Sequence, residues 1–148
     1  LDPQPNDRVL EVGTGSGYQS AVLCEMGARV FSVERHRPLL ERAKKKLESI
    51  GYRVVTKCDD GGQGWPAFAP FDGIIVTAGA RDIPEPLLEQ LRIPDDVHRG
   101  GRLVIPVGSK TSQTMYRIIR TGPESYESEK HTEFRFVPLV RDAGDTNE

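Results

Sequence analysis

Three alternating glycines after a short apolar run, between Val9 and Tyr18, constrain the fold of this chain more than any other segment. The run Val9-Leu10-Glu11-Val12 has the length of a buried strand, and a helical pattern begins directly after Gly17. Glycine adopts the positive φ angles of a tight strand-to-helix turn at little cost. The first amides of the following helix are free to bind a ligand. The segment therefore predicts a strand, a tight turn and a helix N-terminus that a nucleotide-like ligand can approach closely.

The spacing of these glycines separates two classes of nucleotide-binding protein. The dinucleotide fingerprint G-x-G-x-x-G requires a glycine where this chain has Tyr18, and the third glycine comes one residue early, at Gly17. An acid followed by x-G-x-G-x-G is typical of Rossmann-like methyltransferases that use S-adenosylmethionine. We therefore favour a methyltransferase over a nicotinamide dehydrogenase. The glycine-lysine pattern of a triphosphate loop does not occur in the sequence.

Strand and helix patterns alternate along the chain, which favours a parallel sheet covered on both faces. Strands are predicted at 8–12, 29–34, 53–57, 72–77 and 101–106, and helices at 17–26, 38–50 and 86–91. A closing hairpin is predicted from 115–120 and 133–140, joined by the polar segment 121–132. The expected fold is α/β: a Rossmann-like, doubly wound, mostly parallel seven-stranded sheet with an antiparallel C-terminal hairpin at one edge. Residues 1–140 are expected to form one S-adenosylmethionine-binding methyltransferase domain, and 141–148 a polar tail.

Polar residues follow the ends of several predicted strands, and parallel strands bring these ends to one edge of the sheet. Glu34 could accept hydrogen bonds from ribose hydroxyls, and Asp60 from an adenine amino group. The alternatives are that Glu34 pairs with Arg35 or Arg37 at the surface, and that Asp60 only forms a turn. The predicted cofactor-binding residues are Glu11, Gly13, Thr14, Gly15, Ser16, Gly17, Glu34, Arg35, Asp60, Gly61 and Thr77. No catalytic residue and no metal ligand is assigned.

Composition and charge argue against several other classes of protein. The chain has 148 residues, of which 36% are hydrophobic, as expected for one globular domain. Its 20 basic and 22 acidic residues nearly balance, so neither nucleic acid nor a membrane is expected as a partner. Cys24 and Cys58 lack metal-ligand spacing and are expected to be reduced thiols of a cytoplasmic, monomeric protein. The first residue is Leu1 rather than methionine, which suggests a piece of a longer chain.

Several motifs together resemble the protein-L-isoaspartate O-methyltransferase family. The matching segments run in family order at 9–19, 33–35, 60–65, 69–78, 83–84, 100–108 and 135–139. The glycine loop would suit many methyltransferases, whereas four other elements are more particular to this family. These are Gly64-Trp65, Pro70-Phe71-Asp72, Ile105-Pro106-Val107-Gly108 and Phe136-Val137-Pro138-Leu139.

The resemblance implies a cofactor, a substrate and a reaction. It implies that S-adenosyl-L-methionine is bound by the loop from Glu11 to Gly17, by Glu34 at the ribose and by Asp60 and Gly61 at the adenine, with S-adenosyl-L-homocysteine as product. The implied substrates are isoaspartyl residues in damaged proteins or peptides, whose carboxylate becomes a methyl ester that later closes to a succinimide. Such a carboxylate is ionised at neutral pH, so no strong general base is required.

The sequence also departs from the family pattern. Family members carry a segment before residue 1 with a Thr-Ile-Ser-type motif that is assigned a catalytic role. Val140 stands where the family often has threonine, and an extra loop at 93–99 should lie at the amino edge of the sheet, away from the site. We therefore keep two alternatives: a cofactor-binding but catalytically weak fragment or relative, and a class I methyltransferase with another acceptor, such as a small molecule or RNA.

Overall fold

A computed structural model describes residues 1–134, which form a single seven-stranded sheet with helices on both faces. The strand order is β3-β2-β1-β4-β5-β6-β7. The strands are β1 Arg8–Val12, β2 Arg29–Glu34, β3 Val54–Cys58, β4 Gly73–Val76, β5 Arg102–Gly108, β6 Gln113–Arg120 and β7 Tyr126–Phe134. The helices are α1 Tyr18–Glu25, α2 Arg37–Ser49 and α3 Glu85–Glu89, with short 3-10 turns at Gly61–Gln63 and Pro66–Phe68. This architecture confirms the predicted fold class.

The order of the strands creates a crevice at one position in the sheet. From β1 the chain passes to β2 and β3 on one side, and β4 and β5 lie on the other, all of them parallel. The loops that leave β1 and β4 therefore separate at the carboxyl edge between these two strands. This is where doubly wound sheets bind their ligands.

Two apolar layers hold the helices against the sheet. On one face, Leu10, Ile74 and Leu103 occupy neighbouring register positions and are fully buried with Leu87 of α3. On the other face, Val9 and Val30 pack with Leu23 of α1. Alternating side chains along each strand supply both layers, which explains why the central strands are apolar almost throughout.

The C-terminal hairpin is confirmed, but the predicted limits of its second strand are wrong. β7 begins at Tyr126, inside the segment that the sequence predicts to be a polar connection, and only residues 121–125 form the turn. β7 is an edge strand with exposed Glu127, Lys130 and His131, so it lacks the apolar alternation that marks a half-buried strand. The predicted residues 135–140 of this strand, the motif at 135–139 and the tail at 141–148 lie outside the described residues.

The extra loop at 93–99 lies at the amino edge, as predicted. Arg99 Nη1 donates to Asp2 Oδ2 at 3.1 Å, and Arg102 Nη1 reaches the same oxygen at 3.2 Å. The loop itself turns at Asp95, whose pKa falls to about 2 because the backbone N–H groups of His98 and Val97 and the His98 ring bond its carboxylate. The loop thus ties the segment before β1 to the start of β5.

No helix within residues 1–134 is long and apolar enough to span a membrane.

Candidate cofactor site

The turn between β1 and α1 brings the backbone to the carboxyl edge in a form that requires glycine. Gly13, Gly15 and Gly17 have φ angles of 99°, 55° and 87°. A Cβ at Gly13 would lie 2.2 Å from Thr77 Oγ1, which leaves no room for a side chain there. A Cβ at Gly15 would meet nothing within 4 Å. The base of the turn is therefore packed, and its tip opens onto free space where a ligand can contact the backbone.

Thr77, directly after β4, joins the two sides of the crevice. Its hydroxyl donates toward the carbonyl oxygens of Val12 and Gly13, each 3.1 Å away. Its backbone N–H donates to Val12 O at 3.1 Å. Thr77 is exposed, so it forms part of the crevice wall while it holds the glycine turn in place.

Glu11 lies beneath the turn at the centre of a buried polar network. Its Oε1 accepts hydrogen bonds from Ser20 and from Ser32 Oγ, the latter at 2.6 Å. Its Oε2 accepts from Gln19 Nε2 at 3.1 Å, and Thr14 Oγ1 lies 2.6 Å from Ser32 Oγ. The network joins β1, β2, the turn and the first turn of α1, so one carboxylate fixes the relative positions of four segments.

Burial raises the pKa of Glu11 above its usual range, and the hydrogen bonds from Ser20, Ser32 and Gln19 oppose this shift. The side chain has no exposed surface. Glu11 is thus a structural support of the turn, and a bound ligand would meet the backbone above it rather than its carboxylate.

Glu34 ends β2 and bonds to the backbone of the glycine turn and to the backbone just after β2. Its Oε1 accepts from Gly15 N at 3.1 Å, and its Oε2 from His36 N at 2.9 Å. The residue is 7% exposed. Each carboxylate oxygen can accept two hydrogen bonds, so both oxygens keep capacity for a ligand. The alternative in which Glu34 pairs with Arg35 or Arg37 at the surface does not occur in the structure, because these bonds hold the carboxylate against the turn.

Asp60 and Gly61 form the outer wall of the site. Asp60 Oδ1 accepts from Gly62 N at 3.0 Å and so caps the 3-10 turn at Gly61–Gln63. The residue is exposed. A Cβ at Gly61 would lie 2.2 Å from Val12 Cγ1, so glycine allows this turn to pack against the end of β1. Asp60 therefore does form a turn, which was the alternative to a role in binding adenine. It also presents an exposed carboxylate at the carboxyl edge.

The remaining predicted residues differ in how they face the site. Ser16 is exposed at the turn, where its Oγ accepts a long 3.4 Å hydrogen bond from Tyr18 N. Gly17 is buried and caps α1, and Arg35 is exposed beyond Glu34. The structure thus brings all the predicted residues to one edge of the sheet, with Thr14 and Glu11 beneath the surface.

The hydroxyl partners of Glu11 are not among the residues predicted from the sequence. Ser32 stands directly opposite Glu11 in the register of β1 and β2, inside an otherwise apolar strand. Ser20 falls in the first turn of α1 and is fully buried. A serine within a buried strand, beside an acid at the same depth in the neighbouring strand, is the signal that could have revealed the network.

Within the described part of the chain, no group of three His, Cys, Asp or Glu side chains is placed to hold a metal ion. Cys24 and Cys58 are free thiols.

A doubly wound sheet with a glycine turn at its switch point, and acids at the carboxyl ends of β2 and β3, defines the Rossmann-like methyltransferase fold. A solved protein-L-isoaspartate O-methyltransferase superposes with a TM-score of 0.78 and 32% identity, over 93% of this chain and 43% of that one. A Plasmodium falciparum structure described as a beta-aspartate methyltransferase (PCMT), in complex with S-adenosyl-L-homocysteine, gives a TM-score of 0.70 at 22% identity, over 94% of this chain and 68% of that one.

The chain belongs to the protein-L-isoaspartate(D-aspartate) O-methyltransferase family, whose sequence profile matches residues 1–144. It is 62% identical over 144 residues to the protein-L-isoaspartate O-methyltransferase of Salinibacter ruber, covering 95% of this chain and 63% of the relative. The enzyme of the same name from Dictyoglomus thermophilum is 49% identical over 145 residues, covering 97% of this chain and 63% of the relative. The chain therefore spans slightly less than two thirds of the length of these relatives.

Proposed function

We propose that the carboxyl edge between β1 and β4 binds S-adenosylmethionine, and that the protein transfers its methyl group to the carboxylate of isoaspartyl residues. The observation that carries the cofactor assignment is the open tip of the glycine turn at Gly15, which bonds to Glu34 and shares the carboxyl edge of the sheet with Asp60. Family membership over residues 1–144 supports the acceptor.

The fit to the cofactor rests on three groups of different chemistry. The turn offers backbone with free space beside Gly15, where the amino-acid part of a ligand can lie. Glu34 keeps acceptor capacity on both oxygens beyond its bonds to Gly15 and His36, which suits the two hydroxyls of a ribose. Asp60, with one oxygen bonded to Gly62, can accept from an adenine amino group.

Methyl transfer from S-adenosylmethionine to a carboxylate requires mainly that the two reactants be held in the right orientation. The cofactor supplies an electrophilic methyl group on a sulfonium, and the acceptor carboxylate is already ionised at neutral pH. The chain therefore has to orient the two reactants and exclude water rather than move a proton. Thr77 and the buried network of Glu11 serve this purpose by keeping the turn rigid before any ligand arrives.

Calorimetry with S-adenosylhomocysteine tests the cofactor assignment on residues 1–148. We expect a dissociation constant in the micromolar range, and competition between S-adenosylhomocysteine and S-adenosylmethionine. A nicotinamide dinucleotide serves as the control ligand, because Tyr18 replaces the glycine that the dinucleotide fingerprint requires. Folded protein that gives neither heat nor competition would contradict the assignment.

Methyl transfer tests the acceptor, using the protein as its gene encodes it. The substrates are two peptides of identical sequence, one with an isoaspartyl and one with an ordinary aspartyl residue. We expect base-labile methyl ester on the isoaspartyl peptide alone. Cofactor binding without methylation of this peptide would support the weak-fragment alternative, and methylation of RNA or a small molecule instead would replace the acceptor.

We also propose that residues 1–140 form one methyltransferase domain followed by a polar tail, and that the protein is a cytoplasmic monomer. The single sheet that spans Arg8 to Phe134 and the two free thiols support these proposals. Sedimentation velocity tests the monomer, and cell fractionation tests the compartment.

A further inference from the structure

Gln113 begins β6 at the same edge of the sheet as the glycine turn. It stands opposite Gly108 at the carboxyl end of β5. Paired residues on neighbouring strands share a face of the sheet, and the pairs lead from Glu11 through Ile75 and Val104 to Arg117 in β6. Side chains alternate between the two faces along a strand, so Gln113, four residues before Arg117, lies on the same face. Gln113 therefore lies on the sheet face of Glu11, at the carboxyl edge.

The loop after β4 connects Gln113 to the cofactor site. This loop begins at Thr77, which bonds to the base of the glycine turn. Two residues later, a Cβ at Gly79 would lie 1.8 Å from Gln113 Nε2. The amide of Gln113 thus occupies the space that a side chain at residue 79 would need, so the glutamine packs directly against the backbone of this loop.

The amide oxygen of Gln113 is buried and has no hydrogen-bond partner among residues 1–134. The side chain is 8% exposed, and a buried acceptor without a partner is unfavourable. The other unpaired buried atoms in this part of the chain are Nε of Arg8 and of Arg102, and each of these guanidinium groups bonds elsewhere, to Phe68 O and to Asp2. Gln113 alone leaves its single acceptor atom unused.

Gln90 shows how this chain pairs a glutamine that has a structural role. Gln90 is 7% exposed, so its burial matches that of Gln113. Its Oε1 accepts from Trp65 N at 2.8 Å, and its Nε2 donates to Gln63 O at 2.9 Å. Both ends of the Gln90 amide therefore bind main chain in the way that one peptide group binds another. Gln113 has the same amide chemistry, but its buried Oε1 accepts no hydrogen bond within residues 1–134.

We propose that Gln113 is a specificity-determining residue whose Oε1 accepts a hydrogen bond from a main-chain N–H of the methyl-accepting peptide. The proposal rests on the proposed function, because it requires an acceptor that carries peptide groups beside its reacting carboxylate. It explains how the site distinguishes a protein substrate from a small carboxylic acid: only the former brings main-chain N–H groups to the loop at Thr77 and Gly79.

Peptides with a single ester in place of one amide test this contact. A series of isoaspartyl peptides replaces the main-chain N–H by oxygen at one position at a time on either side of the isoaspartyl residue. We expect one ester to lower kcat/KM of the wild-type protein about tenfold, mainly through KM. The Gln113→Leu variant should have a raised KM for the all-amide peptide, an unchanged KM for S-adenosylmethionine, and no discrimination against that ester.

Three further variants keep the test decisive. Gln113→Glu retains an acceptor of the same shape and should retain the discrimination between amide and ester, which a purely structural role of the side chain would not predict. Gln4→Leu makes the same chemical change at an exposed position on the amino side and should match the wild-type protein in every measurement. If Gln113→Leu fails to fold, Gly79→Ala, which displaces the amide of Gln113, provides the same comparison.

The outcomes separate this inference from the function on which it rests. The role of Gln113 is overturned if wild type and Gln113→Leu discriminate equally against the ester, or if neither discriminates. In both cases, methylation of the all-amide peptide still upholds the proposed function. A wild-type protein that binds S-adenosylhomocysteine but methylates no isoaspartyl peptide overturns the acceptor and this inference together.

Discussion

The buried and the open ends of the cofactor site hold their carboxylates in different ways. At the buried end, Glu11 has no exposed surface and accepts hydrogen bonds from three side chains, and Glu34 accepts from two backbone amides. At the open end, Asp60 is exposed and bonds through one oxygen to Gly62. The hydrogen bonds of Glu11 are complete before a ligand binds, whereas the carboxylate of Asp60 is exposed and keeps a free oxygen for a ligand. Changes at Glu11 should therefore act mainly on stability, and changes at Asp60 mainly on affinity.

The largest expected effect lies at the base of the turn. Gly13→Ala should lower the free energy of unfolding by about 3 kcal/mol, because it adds a Cβ 2.2 Å from Thr77 Oγ1 at a positive φ. Gly15→Ala is the matched control, with a positive φ but open space around the new methyl, and should cost about 1 kcal/mol. Urea unfolding measures both, and equal losses would show that crowding against Thr77 is unimportant.

The next effect lies in the buried network. Glu11→Ala should lower the free energy of unfolding by about 2–3 kcal/mol, because it leaves the hydroxyls of Ser20 and Ser32 and the amide of Gln19 without their acceptor. Glu48→Ala removes an exposed glutamate of α2 and should change stability by less than about 0.5 kcal/mol. A Glu11→Ala protein as stable as the Glu48→Ala control would mean that the network contributes nothing.

At the open end the order of effects should reverse. Asp60→Ala should weaken S-adenosylhomocysteine binding roughly tenfold, about 1.4 kcal/mol, with little change in stability. Asp59→Asn, at the neighbouring exposed residue that pairs with Lys57, is the control and should bind as the wild type does. Calorimetry and urea unfolding on the same samples give both quantities. Unchanged affinity in Asp60→Ala would move the adenine to another part of the edge.

The smallest effect is a pH dependence at the buried end. Burial raises the pKa of Glu11 in the folded protein above the 4.5 of an ordinary glutamate, so folding favours the protonated form. The stability that this group provides is complete below the unfolded pKa and is lost as pH rises through the folded pKa. Wild type should therefore lose stability relative to Glu11→Gln as the pH rises above the ordinary glutamate pKa of 4.5. Urea midpoints across a pH series measure the difference, and a constant difference would contradict the raised pKa.

Much of the site could be predicted because its signals are local. The spacing of the glycines from Gly13 to Gly17 indicates the turn, and Glu34 and Asp60 lie at the ends of predicted strands. Parallel pairing then requires these positions to share one edge, whatever the details of packing. The same reasoning gave the sheet and its closing hairpin.

The parts that could not be predicted depend on contacts between distant residues. Ser32 becomes a partner of Glu11 only through the register of β1 and β2, which no single segment encodes. β7 begins earlier than its sequence pattern predicts, because an exposed edge strand needs no apolar face and its polar residues therefore look like a connection. Gln113 gives no signal in the sequence, since the unpaired oxygen exists only once the loop at Gly79 has folded against it.

The polar character of β7 has a consequence for how the protein behaves in concentrated solution. Exposed edge strands are templates onto which other extended chains can pair, and charges along them hinder such growth. Glu127, Glu129 and Lys130 place both signs of charge along this edge. Salt screens these charges: the Debye length, over which charges act on one another, falls from about 10 Å at 0.1 M salt to about 3 Å at 1 M. The protein should therefore remain dispersed at moderate ionic strength and begin to self-associate through this strand as salt is added.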